Sequence, residues 1–143
     1  MGRKRSGARQ RAVQALYQWE LTGQDVTDIE SYFLAEHDMA HADTGYFSQI
    51  LHGVPKHLHE LEDQIDPLLD RPISQLDPVE RTILRVGAFE LKFCPEIPYR
   101  VVINEAVELA KTFGAEQSHK YINSILDKVA RVLRAPEVKS ARP

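Results

Sequence analysis

The stretch DPVERTILRVGAFEL, residues 77–91, decides the fold of this chain. Asp77 can cap the amino end of a helix, Pro78 suits its first turn, and Glu80 can reach back toward the cap. The residues that follow are apolar around much of a helical circumference, which is typical of a helix surrounded by other helices. The stretch therefore predicts a central, buried helix.

Helical periodicity continues on both sides of this stretch, and no strand-like alternation persists. We expect Thr27 to cap the second helix, with Glu30 completing a capping box. Pro55 predicts a kink or two shorter helices within the third segment. The pattern predicts an all-α fold, a compact single-domain bundle of about six or seven helices. Besides the central helix, the expected helical segments are 8–21, from 27, from 43, 99–113, and from 117 or 118.

The charge of the chain is unevenly distributed. Five of the first eleven residues are basic, and no acid precedes Glu20. The rest of the chain holds 13 Lys and Arg against 21 Asp and Glu, so a body of charge −8 carries an arm of charge +5. A polyanion responds to charge within a Debye length of about 8–10 Å. The arm therefore favours a nucleic-acid contact, and an inert solvated tail is the alternative.

We expect the single domain to span residues 1–143, with a flexible basic arm at 1–7 and a flexible tail at 136–143. The one cysteine, Cys94, excludes an internal disulfide and suits a reducing cytosol, so a cytoplasmic protein is expected. No aliphatic run is long enough to span a membrane.

Few residues of this chain point to a phosphate-binding loop, a metal site or a catalytic site. The seven glycines are scattered, and the six histidines lack a convincing third metal ligand. We therefore expect no metal, no cofactor and no catalytic site. Three polar residues lie within apolar helices: Glu90, Asn104 and Glu105. They lie on solvent faces, or they form a polar network or a surface for a partner, and the sequence leaves these alternatives open.

Several motifs together resemble the NusB family of transcription antitermination factors. Their order and spacing make the resemblance specific, and it extends from the basic arm to Arg134, less distinctively over residues 24–75. The motifs are AVQALYQW (12–19), VER (79–81), LR (84–85), EL (90–91), IPYRVVINEAVELAK (97–111), FGA (113–115), SHKYIN (118–123) and LDK (126–128).

This resemblance implies a bacterial, all-helical, RNA-binding factor of the cytoplasm that is not an enzyme. Family members pair with NusE, which is also a ribosomal small-subunit protein. The pair binds the boxA element in leader transcripts of ribosomal RNA operons and joins an antitermination complex on RNA polymerase. Some members self-associate, so a homodimer is a further option.

The expected RNA surface combines cations, a helix start and an aromatic ring. Basic side chains can pair with phosphates, the backbone N–H groups at the start of the last helix can bind anions, and the ring of Tyr121 can stack on an unpaired base. The family often has an acid where this chain has Gln117, so RNA affinity or sequence preference can differ here. The residues are Arg3, Lys4, Arg5, Arg9, Arg71, Lys111, Gly114, Gln117, Ser118, Lys120 and Tyr121.

The resemblance assigns the NusE contact to Tyr17 and Glu80, with Leu21 as an apolar neighbour. Two other functions stay open. A NusB-like module forms the amino-terminal part of some ribosomal RNA cytosine methyltransferases, although 143 residues leave no room for the methyltransferase domain. The other alternative is a structural helical adaptor whose arm is inert.

Overall fold

The computed structural model describes residues 2–141, and these residues form helices and no strand. The predicted all-α fold is confirmed. The chain forms two compact units, of which the first ends at His57 and the second begins at Leu58. The helices are α1 (Gly2–Thr22), α2 (Val26–Glu36), α3 (Thr44–Lys56), α4 (Leu58–Ile65), α5 (Pro78–Phe93), α6 (Tyr99–Phe113), α7 (Ser118–Leu133) and α8 (Ala135–Ala141), with 3₁₀ turns at Asp66–Leu68 and Ile73–Gln75.

In the first unit, α1 packs against α2 and α3. The rings of Phe33 and Phe47 stack in its core, with centroids 5.9 Å apart. The expected cap at Thr27 is wrong: the side chain of Asp25 accepts a hydrogen bond of 2.8 Å from the backbone N–H of Thr27. Asp25 is therefore the N-cap, two residues before Thr27, and α2 begins at Val26.

The basic arm is helical from Gly2 onward, which differs from the flexible arm expected for residues 1–7. The backbone N–H of Asp43 donates to the carbonyl oxygen of Lys4 at 2.9 Å, so the loop before α3 holds the first turns of α1. The guanidinium of Arg5 lies 4.6 Å from the ring centroid of Tyr46, which adds a cation–π contact. Met1 lies outside the described residues.

Gly7 lies where α1 approaches this loop, and a Cβ there would meet the carbonyl oxygen of His41. We expect Gly7→Ala to lower the free energy of unfolding by about 1–3 kcal/mol, because backbone must move to make room. Urea denaturation would measure the loss. Gly2→Ala is the matched control, since nothing lies within 4 Å of its added Cβ. Equal stability of the two variants would contradict the close contact.

In the second unit, α5 packs against α4, α6 and α7 and is the predicted central helix. Its cap is confirmed, since the carboxylate of Asp77 accepts from the backbone N–H of Val79 at 2.8 Å. Arg85 is buried and pairs with Glu62 of α4 at 3.4 Å. Among the three polar residues left open, Glu90 is buried, Asn104 is exposed and Glu105 is intermediate.

The third predicted segment forms two helices, α3 and α4, as Pro55 suggested. Pro55 stays inside α3, and the break comes two residues later at His57. No helix in residues 2–141 has both the length and the apolar character needed to cross a membrane.

The expected tail also differs, because residues 135–141 form α8 and bury Val138. The buried guanidinium of Arg134 donates to the carbonyl oxygens of Leu91 at 2.7 Å and Ile97 at 3.0 Å. It also pairs with Glu137 at 2.7 Å. These contacts attach the tail to the end of α5 and the following loop. Residues 142 and 143 of the expected tail lie outside the described residues.

Glu137 accepts a hydrogen bond of 2.8 Å from the backbone N–H of Tyr99, at the start of α6. This hydrogen bond, with the guanidinium of Arg134, lowers the pKa of the Glu137 carboxyl. One carboxylate thus joins α8 to the first residue of α6, in a part of the chain expected to be flexible.

Candidate nucleic-acid interface

In the second unit, three predicted residues lie where α6 ends and α7 begins: Gly114, Gln117 and Ser118. Gln117 is exposed and has a left-handed backbone, with φ of 74°. Ser118 is buried, and its hydroxyl donates a hydrogen bond of 2.6 Å to a carboxylate oxygen of Glu80. A Cβ at Gly114 would lie 2.8 Å from the carbonyl oxygen of Ala110, so this turn requires glycine. Gly114 is therefore needed for the packing of this turn, independently of any contact with RNA.

Tyr121 lies one turn into α7, and its ring has a cation and an acid beside it. The guanidinium carbon of Arg71 is 5.5 Å from the ring centroid. The hydroxyl donates to Asp70 at 3.3 Å. Burial and the negative charge of Asp70 raise the pKa of Tyr121, so the phenol stays neutral and keeps its donor. Arg71, Tyr121 and Asp70 form a small group that we call the tyrosine platform.

Two predicted lysines lie near the same turn and are exposed. Lys111, in the last turn of α6, pairs with Glu108 at 3.3 Å. Lys120 lies in the first turn of α7, beside Tyr121 in sequence. Both side chains are exposed to solvent, so each ammonium group can give up its water or its surface ion pair and bind a phosphate instead.

The anion site expected from the start of α7 is smaller than the sequence suggested. The backbone N–H of Ser118 donates to the carbonyl of Ala115 at 3.0 Å, and that of Lys120 donates to the carbonyl of Gln117 at 3.1 Å. These two N–H groups are therefore already bonded to backbone carbonyls of the turn that Gln117, with its left-handed backbone, forms before the helix. Side chains rather than amides are therefore the main polar groups here.

The cations of the first unit divide into two groups. Arg3 and Lys4 are exposed, and Arg5 is partly buried against Tyr46. Arg9 is only 2% exposed, and its guanidinium lies 5.4 Å from the same ring centroid. The phosphate contact of Arg9 stays a prediction, and the guanidinium has little exposed surface with which to make it.

The residues assigned to a protein partner lie on α1 and α5. Leu21 is 58% exposed, a large fraction for an apolar side chain, and Tyr17 lies one helical turn before it. Glu80 is partly buried at the start of α5, where Ser118 donates to it. Glu80 does not need to reach back to its own cap, since Asp77 fills that role.

Two side chains were not expected to take part. Asp70 sits 51 residues before Tyr121, and no local pattern predicts their hydrogen bond. Tyr46 pairs with two arginines of α1, which no periodicity could reveal. Within residues 2–141, no group of three or more His, Cys, Asp or Glu side chains is arranged to hold a metal ion.

The chain is similar to proteins of a known family over nearly its whole length. The model of the NusB family matches residues 6–131. Transcription antitermination protein NusB of Nitrosococcus oceani is 56% identical over 140 residues, which is 98% of this chain and 94% of the relative. The protein of the same name from Alcanivorax borkumensis is 54% identical, over 97% of this chain and 93% of the relative.

Solved structures agree with the sequence relatives. A chain in the crystal structure of antitermination factors NusB and NusE in complex with dsRNA has a TM-score of 0.84 and 28% identity, over 92% of this chain and 99% of that chain. NusB of T. maritima has a TM-score of 0.75 and 30% identity, over 87% and 90%. This chain therefore belongs to the NusB family of transcription antitermination proteins.

Proposed function

We propose that this protein is a transcription antitermination factor that binds boxA RNA in leader transcripts of ribosomal RNA operons, together with NusE. The observation that carries the proposal is the tyrosine platform, where a cation lies beside an aromatic ring, and Lys120, the residue before Tyr121, is exposed. Stacking of an unpaired base on a protein ring contributes about 1–3 kcal/mol and suits single-stranded RNA. No enzymatic step is part of this function.

NusE is the proposed protein partner, and the residues proposed to contact it are Tyr17 and Leu21 in the first unit and Glu80 in the second. The support is the 58% exposure of Leu21 and the similarity to a chain from a complex of NusB, NusE and dsRNA. An exposed apolar residue beside an aromatic one is typical of the centre of a protein interface. The pair would then act in the cytoplasm within the antitermination complex on RNA polymerase.

A gel-shift titration tests the function, using boxA RNA and scrambled RNA of the same length, each with and without NusE. We expect boxA to bind more tightly than the scrambled RNA. Five of the predicted cations are exposed: Arg3, Lys4, Arg71, Lys111 and Lys120. If each contacts one phosphate, the logarithm of the affinity falls with the logarithm of salt concentration with a slope of about −3.5.

A double variant, Arg3→Ala with Lys4→Ala, examines the contribution of α1 to that slope. Loss of two phosphate contacts should bring the slope to about −2.1 while the circular dichroism stays unchanged. Lys128→Ala with Lys139→Ala is the control, because it removes the same charge from exposed positions on α7 and α8. Equal slopes for the two double variants would exclude α1 from the RNA contact. Absence of binding to either RNA, even with NusE, would favour the structural adaptor.

A further inference from the structure

A cleft of about 310 Å³ lies between α6 and α7, apart from every residue assigned so far. Two buried side chains, Tyr99 and Ile103, form part of its wall, and the others are polar. Its size is at the lower end of the range of about 300–1,000 Å³ for small-molecule sites, which suits a ligand the size of one nucleotide. The lining residues are Tyr99, Arg100, Ile103, Asn104, Asn123 and Asp127.

The polar side chains of the cleft have unused hydrogen-bonding capacity. Among the described residues, Arg100, Asn104 and Asn123 have no side-chain hydrogen bond or ion pair. The guanidinium of Arg100 lies 5.3 Å from the ring centroid of Tyr99. The fourth polar residue, Asp127, accepts from Arg131 at 2.7 Å. Its negative charge is thus offset, while the positive charge of Arg100 is not.

On α7, the cleft continues from the proposed RNA contact. Lys120, Asn123 and Asp127 are spaced by three and four residues, so they share one helical face. Asn123 is three residues beyond Lys120, a rise of about 4.5 Å along the helix axis. The first polar lining residue on this helix is therefore one turn from a cation assigned to RNA.

The same arrangement holds on α6, which packs against α7. Arg100, Asn104, Glu108 and Lys111 are spaced by four, four and three residues, and all four are exposed. This stripe begins at Arg100 in the cleft and ends at Lys111, which belongs to the predicted RNA surface. Each helix therefore carries a polar stripe from the cleft toward the turn at residues 114–117.

We propose that this cleft binds one unpaired nucleotide of the same RNA strand that reaches the tyrosine platform, an inference that rests on the proposed function. Arg100 binds the phosphate, because its planar guanidinium matches two phosphate oxygens. Asn104 and Asn123 bind the base edge, because a carboxamide offers both a donor and an acceptor. The lining thus recognises a base as well as a phosphate.

RNA fits this cleft better than an acidic protein segment. Both would pair with Arg100, but two carboxamides beside it match a base edge, which carries donors and acceptors together. The stripes that end at Lys111 and Lys120 also give a path for a continuous phosphate chain. Binding of a protein segment is kept as an outcome of the test.

The test uses the whole chain with a nested set of boxA-containing RNAs, shortened one nucleotide at a time from either end. We expect Arg100→Ala to weaken binding about tenfold and to flatten the salt slope by about 0.7, but only for RNAs long enough to reach the cleft. Lys128→Ala is the control, since Lys128 is exposed on α7 and does not line the cleft.

A second variant, Asn104→Ala with Asn123→Ala, examines base recognition. The shortened RNAs identify the nucleotide whose removal abolishes the effect of Arg100→Ala. In a pool of RNAs randomised at that nucleotide, we expect the double variant to prefer one base over the others about tenfold less than the unaltered chain does, at that position only. Unchanged preference would exclude the carboxamides from base recognition and overturn that part of the proposal.

The outcomes separate this inference from the function on which it rests. If the unaltered chain binds boxA RNA but Arg100→Ala binds every RNA with unchanged affinity, the nucleotide site is wrong and the proposed function stands. If Arg100→Ala weakens NusE binding and leaves RNA binding unchanged, the cleft holds a protein segment and the inference is also wrong. If the unaltered chain binds no RNA, both are overturned.

Discussion

Replacement of Arg134 by alanine is expected to lower the free energy of unfolding by about 3–5 kcal/mol. The buried guanidinium satisfies the carbonyl oxygens of Leu91, Cys94 and Ile97 at 2.7, 2.9 and 3.0 Å. Without it, the carbonyl oxygens of Leu91 and Ile97 lose this donor, while that of Cys94 still accepts from the backbone N–H of Ile97 at 3.0 Å. Each buried acceptor left unsatisfied costs about 1–3 kcal/mol. Chemical denaturation in urea would measure the change.

Arg131→Ala is the matched control for this variant, since it removes an arginine three residues earlier in the chain. Arg131 is exposed, and its one ion pair within residues 2–141 is with Asp127, at 2.7 Å, so its loss should cost less than about 1 kcal/mol. Arg134→Lys is expected to resemble Arg134→Ala, because an ammonium cannot reach acceptors in several directions at once. A loss for Arg134→Ala no larger than that for Arg131→Ala would contradict the role assigned to Arg134.

The second large effect is expected at Tyr121, where alanine should weaken RNA binding by about 1–3 kcal/mol, or roughly five- to 150-fold. The expected loss follows from removing the ring on which we propose that a base stacks, and beside which Arg71 lies. Binding measured by fluorescence anisotropy with labelled boxA RNA would give the change directly.

Tyr121→Phe distinguishes stacking from the hydroxyl group. It keeps the ring and removes the donor to Asp70, so we expect affinity within about threefold of the unaltered chain. Circular dichroism should confirm that both variants keep their helices. If phenylalanine were as damaging as alanine, the hydrogen bond to Asp70 rather than the ring would be responsible.

The helices themselves could be predicted because their determinants are local. The cap at Asp77, the proline after it and the apolar pattern that follows lie within one stretch, and α5 begins at Pro78 as that stretch indicates. The bounds of α6, Tyr99–Phe113, follow from Pro98 before it and Gly114 after it. Such determinants lie within a few residues of the element that they control.

The long-range contacts that attach the tail and organise the candidate site could not be predicted in this way. Arg134 binds Leu91 from 43 residues away, and Tyr121 binds Asp70 from 51 residues away. Charge counting predicted a cationic arm but could not separate exposed Arg3 from buried Arg9, because that difference depends on tertiary contacts such as that of Arg9 with the ring of Tyr46. Pairings at such separations depend on tertiary packing, which periodicity does not report.

The hydrogen bond between Ser118 and Glu80 has a consequence for how two ligands would communicate. Ser118 is proposed to contact RNA and Glu80 a protein partner, yet the hydroxyl of Ser118 donates a hydrogen bond of 2.6 Å to the carboxylate of Glu80. A ligand that draws the Glu80 carboxylate toward itself must compete with that hydroxyl, and a ligand that recruits the hydroxyl releases the carboxylate. Thermodynamic linkage makes any such cooperativity reciprocal, so whichever ligand arrives first changes the affinity for the other by the same factor.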